Sequence, residues 1–548
     1  MANIQGNNKI NKTLIICAVL LLSVVIAFWT LSESPLNDHE CFVSVAAREM
    51  LESGDWIMPT CNGELRLQKT PLSYWLVAGF SKITGQVDEF TTRLPSALFG
   101  ILSVAAILYF VNQWLSFRIA VLSAAVWATS LSYILYSHNG RPEMVVTFFI
   151  MLCLLSFYSA VLAKKRKKQI IYLLVFWISF AMANLAKGPV PLPLVLMPLF
   201  FYVAVFRQWK QVPKFLPIIG TIIFLAVVLP WPLAIASRLN WDLAVWKREF
   251  VDRFFGTYAS DGKPLYYYLP KMFQFMSPWA AFVPFALAAP FYRVWNKKQP
   301  AMLFLWLWFI VDLAFLSLSS GKRQHYILPA MPAMTILTAI LLEDMAFSQK
   351  AFTKKLVRNL LLLHLAILAI CFIALPIIMS QLKHEFLAEA IITSAAGLIV
   401  IIVVALMFRA GKVPSGCAAI FAGIAVLTMI GYTFLANPLN YNQPSRQFSR
   451  AVARKVPPSD NLIAYKSAST RFIHYSGRRV PEIQSKSEVY ELYKQGAWVV
   501  AFGKYLDELL EGNSFDIVYL QENAERHKEK VVGGALMHTP GGDNEDKI

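Results

Sequence analysis

Charged and polar side chains gather at five places where long apolar runs of this chain end. Such residues are costly beside hydrocarbon, so clusters of them at one membrane boundary mark a functional site. The five segments are Asn37-Asp38-His39-Glu40, Gln68-Lys69-Thr70-Pro71, Arg141-Pro142-Glu143, Lys187-Gly188 and Gly321-Lys322-Arg323-Gln324-His325-Tyr326. Together they predict a site that combines several cations with carboxylates.

The basic residues of these segments are suited to binding a phosphate group. Lysine is a compact cation with three donors, and arginine donates two parallel hydrogen bonds to phosphate. Two other interpretations are that Lys69 only extends to the membrane interface, and that Arg141 and Glu143 form a local ion pair. Positive charge on outward turns opposes the usual rule of insertion, which favours a bound anionic lipid headgroup. The candidate phosphate-binding residues are Lys69, Arg141, Lys187, Lys322 and Arg323.

The acidic segments could orient or deprotonate an acceptor. A general base is a carboxylate or imidazole within hydrogen-bond reach of the proton that it removes. The candidates are Asp38, His39, Glu40 and Glu143, and the sequence does not choose among them. Asn37 or Asp38 could instead cap a helix, with acidic residues in its first turn.

These segments could also contact the substrate or bind a metal ion. Aromatic and imidazole side chains are candidates for contacting the substrate, namely Tyr74, His325 and Tyr326. No closed metal-ligand spacing occurs among the acidic residues and His39, so no cofactor is predicted and a divalent metal ion stays open.

Composition indicates that lipid surrounds most of the chain. Of 548 residues, 57% are hydrophobic and 15% are charged, which is more apolar surface than a water-soluble domain can bury. The formal net charge is +18, yet lysine and arginine lie mainly in alternate connections between apolar runs, where they set membrane topology. Nucleic acid is therefore not a predicted partner.

Thirteen apolar runs are long enough to cross a bilayer as helices. The alternating basic connections place the N-terminus in the cytoplasm, so that the five polar segments and the C-terminal part face outward. The predicted spans lie near residues 13–32, 93–115, 119–138, 144–163, 170–186, 189–206, 215–236, 279–295, 301–320, 326–346, 357–380, 388–408 and 415–436.

The predicted membrane domain covers residues 1–436 and includes two large outward regions, 33–92 and 237–278. The first region contains amphipathic stretches at 41–52 and 72–83, which we expect to lie along the membrane surface. Cys41 and Cys61 share this region and could pair in an oxidising compartment.

Residues 437–536 have the composition of a water-soluble domain. Strand-like runs alternate with helical segments, which predicts a small α/β domain outside the membrane. The polar, glycine-rich residues 537–548 are expected to form a disordered tail.

Short motifs spread over the membrane part carry a family resemblance. In chain order they are Asp38-His39-Glu40, Ala47-Arg48-Glu49-Met50-Leu51, Ser53-Gly54-Asp55-Trp56, Lys69 with Pro71-Leu72 and Tyr74-Trp75, Lys187-Gly188, Pro230-Trp231, Gly321-Lys322 and His325-Tyr326-Ile327-Leu328-Pro329. In this order they resemble the aminoarabinose transferases of lipid A, which belong to the GT-C superfamily of polyprenyl-phosphate-sugar glycosyltransferases.

The resemblance implies a monomeric, multi-pass glycosyltransferase of the bacterial inner membrane with a periplasmic active site. Its implied partners are an undecaprenyl (polyprenyl) phosphate-linked sugar and an acceptor, either lipid A or another envelope glycan. Two alternatives stay open: a protein O-glycosyltransferase of the same superfamily, and a flippase or transporter of lipid-linked sugars.

The resemblance also implies roles for individual residues. An acidic residue after the first span works near the reacting sugar, Lys69 holds the carrier phosphate, and Glu143 is a second essential acid. The chain departs from the family pattern at three positions. His39 aligns with the family's aspartate, with Asp38 and Glu40 on either side of it. Gln68 stands at a position that is usually glutamate, and Glu143 replaces aspartate.

Overall fold

The computed structural model describes residues 2–241, 244–247, 262–292, 298–348, 354–436, 444–512, 514–521 and 534–539. The chain divides into two compact units, which are described separately. The first unit comprises Met1–Leu31, Leu67–Leu76 and Arg93–Ala436, and the second comprises Ser32–Arg66, Val77–Thr92 and Asn437–Ile548.

The first unit is built from apolar helices. Within the described ranges, nine helices are long and apolar enough to cross a membrane, and two bent helix pairs raise the number to eleven. Two shorter apolar helices, Pro191–Val205 and Trp279–Phe291, lie at the remaining two predicted spans. Each of the thirteen predicted runs therefore coincides with an apolar helical segment, and the predicted polytopic helical fold is confirmed.

The helices that contain the predicted spans have the following bounds: Ala2–Phe28, Glu89–Trp114, Phe117–Ala128 with Leu131–Ser137, Glu143–Leu162, Arg166–Lys187, Pro191–Val205, Pro217–Val228, Pro230–Arg238, Val283–Ala288, Gln299–Leu318, Met331–Glu343, Lys354–Leu382, Leu387–Arg409 and Val413–Gly431. Several begin with proline at the first or second position, where the missing N–H has no helical partner to lose. The helices Leu72–Thr84 and Tyr268–Met276 belong to the two regions that the sequence predicts to face outward.

Two antiparallel helices, Glu143–Leu162 and Arg166–Lys187, pack against each other along their length. We call them the Glu143 helix and the Lys187 helix. Each has 20 or more residues, which corresponds to roughly 30 Å at 1.5 Å per residue. Since three residues connect them, the start of the first and the end of the second lie at the same membrane boundary.

The second unit contains the predicted α/β domain, built on a five-stranded sheet. Strand β3 (Leu462–Tyr465) pairs in parallel with β4 (Glu482–Ile483) and β5 (Trp498–Phe502), while β7 (Gly534–Met537) is antiparallel to β5 and β6 (Ile517–Gln521). Its helices are Pro444–Lys455, Thr470–Ser476, Lys486–Lys494 and Lys504–Leu510. Two apolar clusters bury the faces of the sheet.

The first outward region folds largely with this C-terminal domain, so the predicted division at residue 436 differs from the observed one. The helix Asp38–Ser53 contributes Val45 to the core that contains Phe448 and Phe472. The Arg48 guanidinium donates to the carbonyl oxygens of Ile473 and His474 at 3.2 Å. The apolar face of this amphipathic helix is therefore buried against protein, and not laid on the membrane surface as predicted.

A short hairpin extends the same region. Strands β1 (Thr60–Cys61) and β2 (Glu64–Leu65) are joined by Asn62-Gly63, and both turn residues have positive φ, as a two-residue hairpin of this type requires. The Asn62 side chain also forms two hydrogen bonds with the backbone of Val480, each 2.8 Å long.

Two sequence expectations are adjusted in this unit. Cys41 and Cys61 are free cysteines, and burial raises the pKa of the Cys61 thiol to about 11. Met537, the first residue of the predicted disordered tail, is instead the last residue of strand β7, which pairs with β5 and β6. The structure also describes residues 538 and 539. The remainder of the predicted tail, 540–548, lies outside the described residues.

Candidate functional site

The carboxylate of Glu143 is the centre of a buried group of charged side chains in the first unit. Its side chain is 4% exposed, and its Oε1 lies 3.3 Å from Arg141 Nη2, 3.4 Å from Lys187 Nζ and 3.3 Å from His325 Nε2. We call these four residues the Glu143 cluster. It brings together three of the five polar segments that the sequence singles out.

Helix ends position the members of the cluster. Glu143 begins its helix after Pro142, and Lys187 ends the neighbouring antiparallel helix. Gly188 then turns the chain with φ of 63° and ψ of −146°, a conformation that favours glycine. Its N–H lies 2.7 Å from the Asn184 carbonyl and 3.0 Å from Thr70 Oγ1. The segment with Lys69 is thereby attached beside Lys187.

Thr70 was not among the predicted site residues. It lies next to Lys69, which stands out as a charge, whereas a threonine hydroxyl gives no comparable signal in a sequence. The Lys69 side chain is partly buried, and its charge acts on the ring of His325. Three cations, Lys69, Arg141 and Lys187, thus act on His325 within the first unit.

His325 and Tyr326 enter the site from a 3-10 helix, Gln324–Ala330, that precedes the helix Met331–Glu343. Their rings meet edge to face with centroids 4.8 Å apart. Lys187 Nζ lies 5.0 Å from the centroid of the Tyr326 ring, within range of a cation–π contact. Tyr326 therefore forms one side of the space around the Lys187 ammonium.

The two carboxylate oxygens of Glu143 have unequal surroundings. Oε1 faces Arg141, Lys187 and His325, whereas Oε2 is buried and has no hydrogen-bond partner within the described part of the chain. The buried Gln68 Oε1 also has no such partner. A buried acceptor without a donor costs about 1–3 kcal/mol, so both oxygens are available to donors of a bound molecule.

The predicted cations Lys322 and Arg323 have different contacts. Lys322 is 4% exposed, and its Nζ donates to the Lys263 carbonyl at 3.3 Å, while Lys263 Nζ donates to the Lys322 carbonyl at 2.7 Å. Arg323 is exposed, and its carbonyl accepts the Tyr268 hydroxyl at 3.2 Å. These contacts attach the second outward region to the segment that carries His325.

Lys263 is a second residue that sequence reasoning missed. It stands before the tyrosine run at 266–268, and its Nζ lies 5.0 Å from the centroid of the Tyr267 ring. A positive charge in a predicted outward region was the signal that could have identified it. The predicted substrate contact Tyr74 is 1% exposed and belongs to the helix Leu72–Thr84.

In the second unit, the segment before the helix Asp38–Ser53 forms a capping box. Asn37 Oδ1 accepts the N–H groups of His39 and Glu40, and Glu40 Oε2 accepts the Asn37 N–H at 2.9 Å and its Nδ2 at 2.7 Å. The alternative that Asn37 caps a helix is confirmed. Glu40 is 1% exposed and has a structural role at this helix start.

Asp38 and His39 remain at the protein surface. The Asp38 side chain is 62% exposed, and its Oδ2 lies 3.6 Å from Arg471 Nη2. His39 is also exposed. Across the residues that the structure describes, three or more histidine, cysteine, aspartate or glutamate side chains nowhere form a group suited to a metal ion.

Fold and site together define a polytopic membrane protein with a charged site at one membrane boundary. Residues 68–233 match the model of the family described as dolichyl-phosphate-mannose-protein mannosyltransferase. The chain is similar to the undecaprenyl phosphate-alpha-4-amino-4-deoxy-L-arabinose arabinosyl transferase of Pseudomonas paraeruginosa, with 28% identity over 57% of this chain and 58% of that protein. The protein of the same name from Pseudomonas savastanoi is 30% identical over 59% of this chain and 60% of its own length. The chain thus spans less than two thirds of these curated relatives.

Structural similarity extends over almost the whole chain. The crystal structure of ArnT from Cupriavidus metallidurans, bound to undecaprenyl phosphate, superposes with a TM-score of 0.80 and 18% identity. The similarity covers 96% of this chain and 97% of that chain, which shows a shared fold. The predicted resemblance to the aminoarabinose transferases is confirmed.

Proposed function

We propose that this chain is a glycosyltransferase that moves a sugar from a polyprenyl phosphate carrier to lipid A or another envelope glycan. The reaction takes place at the periplasmic face of a bacterial inner membrane. Relatives named as arabinosyl transferases and the fold of a protein crystallised with undecaprenyl phosphate support this proposal.

The observation that carries the proposal is the Glu143 cluster. Arg141 and Lys187 are cations held within hydrogen-bond distance of one buried carboxylate oxygen, with His325 beside them. A carrier phosphate would bind these cations, joined by Lys69, because each of them donates charge-assisted hydrogen bonds. Glu143 is their counter-charge before the donor binds.

The reaction requires that the departing phosphate is stabilised and that the acceptor oxygen is positioned next to the anomeric carbon. The bond between the anomeric carbon and the phosphate oxygen breaks, the carrier phosphate leaves with the electron pair, and an acceptor oxygen bonds to the same carbon. Preorganised cations stabilise the negative charge that develops on the leaving group. An acceptor hydroxyl gives its proton to a carboxylate, whereas an acceptor phosphate has no proton to lose.

We assign Glu143 Oε2 to the acceptor side, and Asp38 of the second unit stays a candidate catalytic carboxylate from the sequence. Glu143 Oε2 is a buried oxygen without a donor among the described residues, and Asp38 is an exposed carboxylate in the segment that resembles the family's first acidic position. Lys322 and Arg323 stay proposed phosphate-binding residues. Tyr74, His325 and Tyr326 stay proposed substrate contacts.

A protein acceptor is the second candidate, because the family matched by residues 68–233 is described as transferring mannose to protein. Mass spectrometry of envelope lipids and of membrane proteins, from cells with and without this gene, distinguishes the two. A sugar-sized mass on lipid A or another glycan that disappears with the gene supports our proposal. A sugar mass lost only from protein would establish the second candidate, and unchanged lipids and proteins would overturn both.

The periplasmic placement of the site is tested by reporter fusions. The alternating basic connections predict that fusions after residues 165, 297 and 353 report the cytoplasm and that a fusion after residue 500 reports the periplasm. A cytoplasmic signal at residue 500 would contradict the proposed orientation of the site.

A further inference from the structure

A cavity lies at the ends of the Glu143 and Lys187 helices that are farthest from the Glu143 cluster. It is bounded by the C-terminal end of the Glu143 helix, the connection 163–165 and the first turns of the Lys187 helix. Because each helix is roughly 30 Å long, the cavity and the cluster lie at opposite membrane boundaries. The cavity is therefore not part of the proposed active site.

The cavity has a volume of about 350 Å³ and combines basic residues with apolar and hydrogen-bonding side chains. Its lining residues are Gln113, Trp114, Ser159, Leu162, Ala163, Lys164, Lys165, Lys168 and Tyr172. The Tyr172 hydroxyl donates to Gln113 Oε1 at 2.6 Å, and Trp114 Nε1 donates to Ser159 Oγ at 2.7 Å. These two hydrogen bonds hold the interior side chains in place.

The rim carries positive charge that acidic side chains do not neutralise. Within the described ranges, Lys164, Lys165 and Lys168 form no ion pair, and all three side chains are exposed. The cavity lining contains no aspartate or glutamate. The first turn of the Lys187 helix adds to this charge, since it has no acidic residue and no side-chain cap.

An apolar surface continues from the rim along the Lys187 helix. Ile171, Leu174 and Ile178 recur at spacings of three and four residues, which places them on one face, and they are 50%, 38% and 49% exposed. Leu162, at the rim itself, is 47% exposed. A molecule with a phosphate at the rim could therefore extend hydrocarbon chains along this face.

We propose that this cavity binds the phosphate headgroup of an anionic phospholipid, with its acyl chains along the Ile171 face. Basic cavities between membrane helices on the cytoplasmic side bind such headgroups because their lysines attract the negative charge of the phosphate. The bound lipid would join the ends of three helices, Glu89–Trp114, Glu143–Leu162 and Arg166–Lys187. The proposal does not depend on the transfer activity.

The same run of charges offers a matched control. Lys167 belongs to the run 164–168 but does not line the cavity, and neither does the exposed Lys210. The variant K165Q/K168Q removes two charges from the rim, and K167Q/K210Q removes two charges from the same membrane boundary. If the lysines of the rim only set the membrane topology, the two variants should bind lipid equally well.

The experiment measures lipid binding by native mass spectrometry of the full-length protein in detergent. Dioleoyl phosphatidylglycerol is titrated, with dioleoyl phosphatidylcholine as the neutral comparison. We expect a preference for phosphatidylglycerol in the wild type and a loss of affinity of about fivefold for each rim lysine removed, as for basic residues near an anionic surface. K167Q/K210Q should stay within twofold of wild type, and K168R should retain binding. Size-exclusion profiles and melting temperatures establish that each variant is folded.

Three results would overturn the proposal. One is equal binding of the two lipids by the wild type, and another is equal weakening in both double variants. The third is full displacement of phosphatidylglycerol by inorganic phosphate at an ionic strength where chloride has no effect, which would assign the cavity to a soluble phosphate.

Discussion

Glu143 and Glu40 are both buried glutamates in the first turn of a helix, and their surroundings differ. Glu40 follows the N-cap Asn37 by three residues, and one of its oxygens accepts two hydrogen bonds from that residue. Glu143 follows Pro142, which provides no side-chain cap, and its Oε1 faces two cations and a histidine from three segments. Because its helix does not use Glu143 as a cap, this carboxylate is free for the binding role that we propose.

The motif Arg48-Glu49 extends this comparison within the second unit. Both residues carried the family resemblance, and both have structural partners. Arg48 donates to carbonyls at the end of the helix Thr470–Ser476, and the buried Glu49 accepts the N–H groups of Asn62 and Gly63. This motif therefore reports on the fold of the second unit, and substitutions separate such residues from those that act in the reaction.

The largest effect is expected for Glu143→Gln, which keeps size and removes charge. If Glu143 accepts a proton or balances the cations, transfer should fall by about a hundredfold or more. Glu143→Asp is the matched control, since it keeps the charge and should retain more activity. Turnover is measured with a polyprenyl-phosphate-linked sugar, with carrier-lipid binding measured in parallel. Normal turnover in Glu143→Gln would remove this carboxylate from the reaction.

Asp38→Asn should lower transfer by up to about a hundredfold if the exposed carboxylate acts on the acceptor. Its ion pair with Arg471 is exposed and worth about 0–1 kcal/mol, so the variant should stay folded and still bind carrier lipid. His39→Asn should be milder, because a neutral imidazole does not replace a carboxylate. The reverse pattern, with His39→Asn inactive and Asp38→Asn normal, would favour the direct alignment of His39 with the family's aspartate.

Lys69→Ala should lower transfer by about ten- to a hundredfold, because a charge-assisted hydrogen bond to phosphate contributes about 1.5–3 kcal/mol. Lys82, exposed at the end of the helix Leu72–Thr84, provides the control variant Lys82→Ala, which should behave as wild type. Transfer rates of both variants, measured over a range of donor concentrations, test this prediction. Equal activity of the two variants would exclude Lys69 from the phosphate site.

The second unit should lose stability as pH falls, through His474. Burial, with a smaller effect of Arg48, lowers the pKa of this histidine to about 3, and its Nδ1 lies 2.9 Å from Ser44 Oγ. The unfolded state binds a proton below about pH 6.5 and the folded state does not, so stability falls by roughly 1 kcal/mol per pH unit between about 6.5 and 3. Hydrogen exchange of strands β3 and β5, followed over this pH range, measures the fall in the stability of the second unit. In the His474→Gln variant, stability should depend less steeply on pH. An unchanged slope of stability against pH would assign the effect to other titratable groups.

The smallest effect is expected for Glu40→Ala, which removes half of the capping box. Loss of a cap costs about 1 kcal/mol, so the melting temperature should fall by a few degrees while transfer stays within a few-fold of wild type. Glu52→Ala, at the exposed end of the same helix, should change neither property. A stable Glu40→Ala protein without transfer activity would instead place Glu40 in the reaction.

Elements that depend on local rules could be predicted from the amino-acid sequence alone. Apolar runs became membrane helices because hydrocarbon requires every backbone polar group to be paired within the segment. The cap at Asn37 follows from hydrogen bonds that span three residues, and Asn62-Gly63 forms its turn because both residues tolerate positive φ.

Contacts between groups that are distant in the sequence depend on how the helices pack. Glu143, Lys187 and His325 come from separate segments, and helix packing brings them to one carboxylate oxygen. The apolar face of Asp38–Ser53 suits either a membrane surface or a protein core, because amphipathic spacing specifies a buried face and not what covers it. Lys322 likewise contacts the carbonyl of Lys263, since long-range packing, which the local sequence does not encode, places its ammonium there.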